Sequence, residues 1–473
     1  MKRFAYILSL CFGLSIVNCQ LSTAQDVQRF GERHIIGTAR YVGMGGAMTA
    51  VGADPSAVLD NPAGLGLYRR CEIMLSLDET IDKTAQSATP SPNVTQRLRF
   101  SLPHVSAIWA WGNPSKQRGM IYNNFMFSYN RLADYNRDVS VAGKNLGMAE
   151  TIALLTNGLY EADFAEDAWN NMNIGWLSIL GYEGYLIDPK EDAQWVPAVS
   201  WVDGSLDVSE TGSADQYTVS WASNISNQWY VGVNLNVPTM AYTKRMTLRQ
   251  TDRTNSAKLA SMFHVSGVGV SGSIGVIYRP LQALRVGASL QTPTVMNLSM
   301  QTEGDLYSTI NGNKYEVLTP ASGAVSMKMT SPLRTSVSLA GQWGERGMLA
   351  VQYDYAHASD MEDVHTLRLG LEAQVARGVF CNAGYVYESS FLAKDPIVGL
   401  DVTSIRTDVD YRYTAMSQYA SAGIGYRSDV VLAQVAYQYR WQMIHQYASE
   451  CQLTPMDVYA HTHRIVATVA WRF

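Results

Sequence analysis

The chain has 473 residues, a net charge of −5 and only 16% charged side chains, against the roughly 25% usual in soluble domains. It carries 37 glycines and 27 tyrosines but only 15 prolines, and it has no basic patch, which argues against a nucleic-acid partner. No linker-like shift in composition divides it, so one large closed structure is expected.

The first residues have the form of an export signal. Lys2-Arg3 supply positive charge, Phe4–Val17 an apolar run and Ser22-Thr23-Ala24 the small residues of a cleavage site. Residues 1–24 are therefore expected to be a signal peptide, cut after Ala24. The apolar run is too short for a membrane anchor. A lipid on Cys19 is disfavoured by Asn18, which stands where a small residue is needed. The mature chain then keeps Cys71, Cys381 and Cys451, an odd and widely spaced set that makes neither a disulfide framework nor a zinc site.

The stretch Thr38–Arg69 carries glycines at 43, 45, 46, 52, 64 and 66, with turn formers Asp54-Pro55 and Asn61-Pro62. Glycine populates φ > 0 freely, so this density marks a chain that bends tightly and packs its backbone against its surroundings. Met44, Met48, Val51, Val58, Leu59, Leu65 and Leu67 lie between the turns, an apolar load that a surface loop would not carry. Residues 25–70 are expected to form a compact plug inside something larger. A dinucleotide-binding loop is the rival for Gly43–Ala47, but no apolar strand precedes Gly43 and no βαβ pattern follows Gly66.

Three elements here carry a resemblance. Gly43-Met44-Gly45-Gly46-Ala47, Asp54-Pro55-Ser56-Ala57-Val58 and Asn61-Pro62-Ala63-Gly64-Leu65 resemble the N-terminal signature of FadL/TodX-type outer-membrane transporters of fatty acids and aromatic hydrocarbons. The Asn-Pro-Ala-Gly element is the most specific of them. The resemblance implies a hatch folded into the lumen of a barrel of about fourteen strands. It makes Gly43, Gly45, Gly46, Asp54, Asn61, Pro62, Ala63 and Gly64 the expected gating residues.

From Cys71 onward the period is two. In Val431–Trp441 one face holds Val431, Ala433, Val435, Tyr437, Tyr439 and Trp441, and the other holds Leu432, Gln434, Ala436, Gln438 and Arg440. Thr366–Val375 sets Leu367, Leu369, Leu371 and Val375 against Thr366, Arg368, Gly370, Glu372 and Gln374. Met348–Tyr355 and Leu284–Gln291 alternate in the same way. Apolar-out, polar-in alternation over about ten residues is the signature of a transmembrane β-strand. A soluble sandwich would have shorter strands and no aromatic end to the apolar face.

Connector lengths alternate as well. Short ones at Asn113–Gly119, Asn224–Gln228, Arg279–Ala283, Gly344–Gly347, Ala376–Gly378 and Arg427–Asp429 alternate with long ones at Thr80–Gln96, Leu132–Gly212, Gln250–Ala260, Gln301–Pro320, His357–Asp363, Ser389–Asp410 and Gln446–Val458. Short turns on one rim and long loops on the other describe a bacterial outer-membrane barrel, here residues 71–473 with about fourteen strands. Segments around Tyr278–Pro293, Leu367–Glu372 and Ser421–Arg427 also resemble the FadL-type pattern.

The loop at about 132–212 departs from that pattern. Leu146, Ile152, Leu155, Leu159, Phe164, Trp169, Ile174, Leu177 and Leu180 recur at roughly helical spacing within Asn145–Ile187. External loops of the family shape a first hydrophobic catch site. The resemblance therefore implies capture at Trp169, Trp176, Leu180, Trp195 and Trp201. The chain ends on an alternating strand, His463–Phe473, whose Trp471 and Phe473 resemble the terminal signal read by the barrel-assembly machinery.

Catalytic patterns are not found: there is no nucleophile elbow, no His-Glu-x-x-His and no Ser-His-Asp order in a recognisable context. His461 and His463 fall on one strand face, but no third metal ligand is identifiable, and Asp354 with His357 makes no set. No metal, cofactor or enzymatic activity is expected. The 20 methionines suit a soft ligand path or plain gap filling. The expected function is passive uptake of small hydrophobic molecules such as long-chain fatty acids across the outer membrane of a Gram-negative cell, with membrane lipid as the surrounding partner. The alternative is a FadL-like barrel that serves protein secretion or surface attachment.

Overall fold

The computed structural model describes residues 30–86, 94–116, 118–164, 167–321, 323–344, 346–357, 362–389 and 403–473. The expected signal peptide and Cys19 lie outside the described residues.

The strands, in chain order, are β1 (Glu72–Gln86), β2 (Val94–Gly112), β3 (Met120–Asp134), β4 (Arg137–Lys144), β5 (Ile187–Pro189), β6 (Trp195–Pro197), β7 (Asp203–Ile225), β8 (Trp229–Thr251), β9 (Ser256–Leu281) and β10 (Leu284–Gln291). There follow β11 (Val295–Ile310), β12 (Asn313–Leu318), β13 (Val325–Thr330), β14 (Leu333–Gln342), β15 (Gly347–His357), β16 (Val364–Ala376), β17 (Val379–Glu388), β18 (Tyr411–Arg427), β19 (Val431–Tyr447) and β20 (Met456–Arg472). Fourteen of them, β1–β3, β7–β10 and β14–β20, each pair antiparallel with the next to form a closed barrel. β20 returns to β1 from Glu72↔Arg472 to Gln86↔Val458, which closes the barrel.

The alternation sorts the side chains as its period dictates. Val435, Tyr437, Leu367, Leu371, Leu349 and Val351 are exposed on the outside, whereas Gln434, Gln438, Arg368, Glu372 and Gln352 are buried within. An apolar belt of this extent is the face a bilayer covers.

The six short connectors fall between strands as expected. Two expected long loops are instead built from strand. Residues 250–260 hold the ends of β8 and β9 and only a tight turn at 252–255, in which the Asp252 carboxylate accepts from the N–H groups of Thr254 (2.6 Å) and Asn255 (2.7 Å). Residues 301–320 hold β11 and β12, joined at Asn311-Gly312 with φ of 52° and 81°, a left-handed pair suited to a two-residue hairpin turn. Both segments lie on the long-loop side, where water meets both faces, so the polar–apolar contrast that marks a membrane strand fades.

The expected loop at 132–212 is also shorter than read. β3 and β4 carry strand to Lys144, and β7 resumes at Asp203. Between them stand helices Met148–Thr156 and Trp176–Glu183, in place of one helical stretch over 145–187. We refer to residues 145–202 as the cap.

Candidate functional site

Residues 30–70 lie inside the lumen, and the wall is shaped to receive them. Thr38 caps the helix Ala39–Gly43 by accepting from the Tyr41 N–H, and its hydroxyl donates to both Asp54 carboxylate oxygens at 2.9 and 2.8 Å. Asp54 also accepts from the Ser56 N–H at 2.9 Å, so one carboxylate joins the two halves of the plug. Burial pushes the Asp54 carboxyl above its ordinary range, and Arg40 and Thr38 oppose the shift. Gly45 and Gly46 turn the chain at φ of 59° and 69°. Gly52 and Gly64 pack face to face, where a Cβ on Gly64 would lie 3.0 Å from the Gly52 Cα.

The Asn61 side chain does three things. Its carbonyl accepts from the Ala63 N–H at 3.0 Å, closing the turn over Pro62. Its amide donates to Thr49 O within the plug at 2.8 Å and to Val276 O on β9 at 3.2 Å. The wall opposite is bare. Gly232 and Gly275 pair across β8 and β9; a Cβ on either would meet Pro62 at 2.5 Å or the Asn61 amide oxygen at 1.9 Å. A second cross-strand pair, Gly370 and Gly384, faces Met44 and Gly45 in the same way, with a Cβ on Gly384 only 2.1 Å from the Gly45 nitrogen. Gly43 sits so close to Asn382 that a Cβ would lie 2.0 Å from its Oδ1.

Inward polar side chains then satisfy the plug backbone, which buried peptide groups require. Gln352 accepts from the Thr49 N–H (2.9 Å), Thr468 from the Ala39 N–H (2.8 Å), and Asn234 donates to Val58 O (2.8 Å). Asn124 donates to Leu65 O and Tyr68 O. Two ion pairs add charge to the same union, Arg40 with Glu372 at 2.6 Å and Arg368 with Asp60 at 3.1 Å, and a third within the wall, Arg368 with Asp354 at 2.7 Å, steadies Arg368. Sequence reasoning placed Arg368 and Glu372 on the inner face but gave them no role. Two charges facing a lumen at i and i+4 of one strand were the available signal.

Above the plug the lumen has two unlike compartments beside its first residues. One, about 40 Å³, is lined by charge, including Arg99, Arg137, Arg412, Arg440 and Glu210. The other, about 50 Å³, is the more apolar: it lies against Phe30, Leu132, Met240 and Met296, with Glu32, Arg33 and Arg334 also in its lining. It belongs to an apolar cluster that includes Tyr242, Phe263, Met300, Met327 and Met329.

The wall is interrupted beside these compartments. β2 pairs with β3 only from Gly112↔Tyr122 to His104↔Asn130. Beyond that point, among the described residues, Val94–Ser101 pairs with β1 alone, while Arg131–Asp134 and β4 pair with β7. Leu102-Pro103 is the bulge at which β2 leaves the ladder, and proline has no N–H to continue it. Side chains bridge the seam: Thr95 donates to Asp138 O at 2.6 Å, Arg97 reaches the Asp138 carboxylate at 3.4 Å, and Arg99 binds Asp134. Leu132, the residue skipped in the β3 register, reaches the apolar compartment. A proline within an alternating run was the signal for this seam, and it was not read as such.

The external residues expected to capture ligand are the inner packing of the cap. Leu180, Trp195 and Trp201 are buried in one apolar cluster and Trp176 in another, with Trp169 packed against both. Residues 404–410, from the connector expected at 389–410, fold down into the lumen below them and are buried. Lys244 holds Asp408 at 3.0 Å and Asp410 at 2.5 Å, and Arg406 also binds Asp408. Trp471 and Phe473 are exposed on the outside of the short-turn rim, their ring centroids 5.2 Å apart. His461 and His463 face outward, each 2.7 Å from a tyrosine hydroxyl, Tyr439 and Tyr437. Asp354 binds Arg368 whereas His357 binds Asp363, so those two form no pair.

No family model and no curated protein matches the sequence. Solved structures match the fold over nearly the whole chain. A Pseudomonas aeruginosa FadL homologue aligns with a TM-score of 0.55 at 11% identity, covering 94% of this chain and 99% of its own. A deletion mutant of the TodX monoaromatic hydrocarbon channel aligns at 0.53 and 12% identity, covering 92% and 99%. The CymD monoaromatic hydrocarbon channel aligns at 0.51 and 14%, covering 93% and 99%. At these identities the likeness is one of fold: fourteen strands around an N-terminal segment in the lumen.

Proposed function

We propose that this chain, which has the FadL-type fold, is an outer-membrane channel for passive uptake of small hydrophobic molecules, and that they leave the lumen sideways through the seam between β2 and β3. The observation that carries this reading is adjacency: the apolar compartment reaches Leu132 on the seam's own edge. Each Å² of apolar surface that a ligand buries there contributes about 25 cal/mol. The compartment is small as it stands, about 50 Å³. Methionines Met240 and Met296 in its lining have flexible, polarisable side chains, so it can reshape around an entering ligand. Phe30, which packs edge-to-face on Tyr135 and Tyr242, is the group that entry would displace. Long-chain fatty acids are the ligand class the sequence resemblance suggests; the charged compartment beside the apolar one would face a carboxylate end.

The test is to close the seam. Cysteines at Arg97 and Asp138, in a background with Cys71, Cys381 and Cys451 replaced by serine, can be joined by a short cleavable thiol cross-linker. Uptake of a fluorescent hydrophobic probe should stop on cross-linking and return on cleavage. Uptake that continues with the seam closed would exclude the sideways route.

A further inference from the structure

The underside of the plug faces a second cavity that uptake does not use. It opens at the short-turn rim, the periplasmic side of an outer-membrane barrel, and its volume is about 910 Å³. Seven arginines and no lysine line it, against two acidic residues, Glu72 and Asp429. Three of the arginines have carboxylate partners: Arg40 with Glu372, Arg472 with Glu72 at 2.5 Å, and the exposed Arg70 with Asp429 at 3.7 Å. Four do not, among the described residues. Arg69 meets the Asn227 amide oxygen and lies over the Tyr122 ring at 5.5 Å. Arg285 donates to Val51 O and to the Gln342 amide oxygen, both at 2.9 Å. Arg427 lies over the Phe380 ring at 4.6 Å with its Nε buried and unbonded, and Arg377 stands exposed in the turn between β16 and β17.

A fold does not gather like charges at one mouth without cost. Each guanidinium destabilises its neighbours, and burial adds to that. Guanidinium forks match carboxylate and phosphate oxygens two at a time, which a lysine ammonium does not. Phe380 holds the Arg427 fork by stacking, which reduces the freedom lost when an anion binds. A smaller cavity of about 300 Å³ shares Met348, Gln374, Phe380 and Arg427 and extends the same site toward Gln342 and toward Glu372, the carboxylate that Arg40 holds.

We propose that this vestibule is a binding site for an oxyanion, a carboxylate or a phosphate, held chiefly by Arg285, Arg377 and Arg427. The site touches the plug. Arg285 on β10 holds Val51 O of the plug at 2.9 Å, so an anion that draws this guanidinium away loosens the plug from below. This inference is independent of the sideways route, because it concerns the opposite side of the plug and a charged ligand.

The experiment is calorimetric titration of the full mature barrel, in zwitterionic detergent at low ionic strength, with inorganic phosphate and with succinate. At least one should bind, and 0.5 M sodium chloride should weaken it. Arg285→Gln with Arg427→Gln removes two charge-assisted contacts and should weaken binding about a hundredfold or more. Arg377→Gln, in an exposed turn where it cannot disturb the barrel, should weaken it severalfold. A second arm places the barrel in nanodiscs with or without phosphatidylglycerol. Loss of phosphate binding in the anionic discs would identify a lipid headgroup as the occupant; unchanged binding would identify a free oxyanion. The proposal is overturned if neither anion binds, or if the three arginine substitutions leave binding unchanged in protein that still shows the heat-modifiable mobility of a folded barrel.

Discussion

The lumen is occupied twice, from below by residues 30–70 and from above by the cap with the strap 404–410, and the two differ in how much of their hold is polar. The plug offers backbone. It sits on glycine pairs, and inward Gln352, Thr468, Asn234 and Asn124 complete its peptide hydrogen bonds. Its apolar contacts with the wall are mixed in size: Ala340, Ala350 and Ala436 face Ala47, Met48 and Ala50, while Ile108 and Met126 meet Val58, Leu65 and Tyr68. The cap offers large side chains. Leu146, Ile152, Leu180, Trp195 and Trp201 pack on Leu206, Met246, Leu248, Leu259 and Leu306 of the upper wall. A polar, shape-fitted union can be shifted a little and re-formed, because water can replace its hydrogen bonds one at a time. An apolar core gives way only as a unit. The plug is therefore the element suited to small, reversible motion, and the cap is suited to standing still.

The sharpest way to break this contrast is to fill the wall. Gly384→Val puts a side chain where the Gly45 nitrogen lies, 2.1 Å from the nearest possible Cβ. Overpacking usually costs about 1–3 kcal/mol, and here the obstacle is backbone, so the cost should lie at or above the top of that range and fall on the plug alone. The barrel should stay folded while its conductance in a planar bilayer rises. Unchanged conductance would show that the glycine pairs are incidental.

An effect of comparable size is expected in the cap. Trp201→Ala removes a side chain that is only 4% exposed and should cost about 3–5 kcal/mol, felt across the cap as a whole. Hydrogen exchange should then quicken together in helices Met148–Thr156 and Trp176–Glu183 and leave the plug unaffected. If exchange quickened only beside residue 201, the cap would not be one cooperative unit.

A smaller effect separates latch from scaffold within the plug. Asn61→Ala deletes bonds to Thr49 O and Val276 O and leaves both carbonyls buried, a loss of about 1–3 kcal/mol. The barrel should remain heat-stable while probe uptake changes and leakage of small solutes rises. Poor insertion of the variant, with wild-type conductance in what inserts, would instead make the turn only the start of β1.

The same contrast explains what the sequence disclosed. The plug was legible because its signals are local: glycines that need φ > 0, and an Asn-Pro pair that closes its own turn. The barrel was legible because a two-residue period needs no knowledge of the partner strand, and even the inward set Arg368, Gly370 and Glu372 could be read from it. The cap was not. Trp176, Leu180, Trp195 and Trp201 look like exposed catch residues in a long loop until the strands that bury them are known. The strap pinned by Lys244 was missed for the same reason, since it depends on residues far away in the chain, whereas the seam had a local signal in Pro103 that went unread.

The smallest expected effect is on pH, and it should divide the two occupants by the window in which each weakens. Near the top of the plug, His34 Nδ1 accepts from the Asp134 N–H at 3.3 Å, which only the neutral ring can do. Burial holds its pKa below 6.5, helped by Arg440 and Arg464, although Glu32, 3.6 Å from Nε2, favours the charged form. A histidine lowered in the folded state binds fewer protons there than when released. The stability it supplies is therefore complete above pH 6.5 and falls as the pH drops below that value, by at most about 1.4 kcal/mol per unit. The strap behaves differently. Burial alone would raise the Asp408 carboxyl, but Arg406 and Lys244 outweigh it and hold the group below its ordinary 3.8. Its contribution is present above 3.8 and is lost only as the pH falls further. Between pH 6.5 and 4.5, then, the segment around His34 should become easier to cleave with protease, while the strap should keep its protection. Asp54, raised by burial, acts in the opposite sense within the plug, so the measurement is the difference between wild type and His34→Gln. That difference should shrink from pH 7 to pH 5. A constant difference would mean that the proton does not enter at His34.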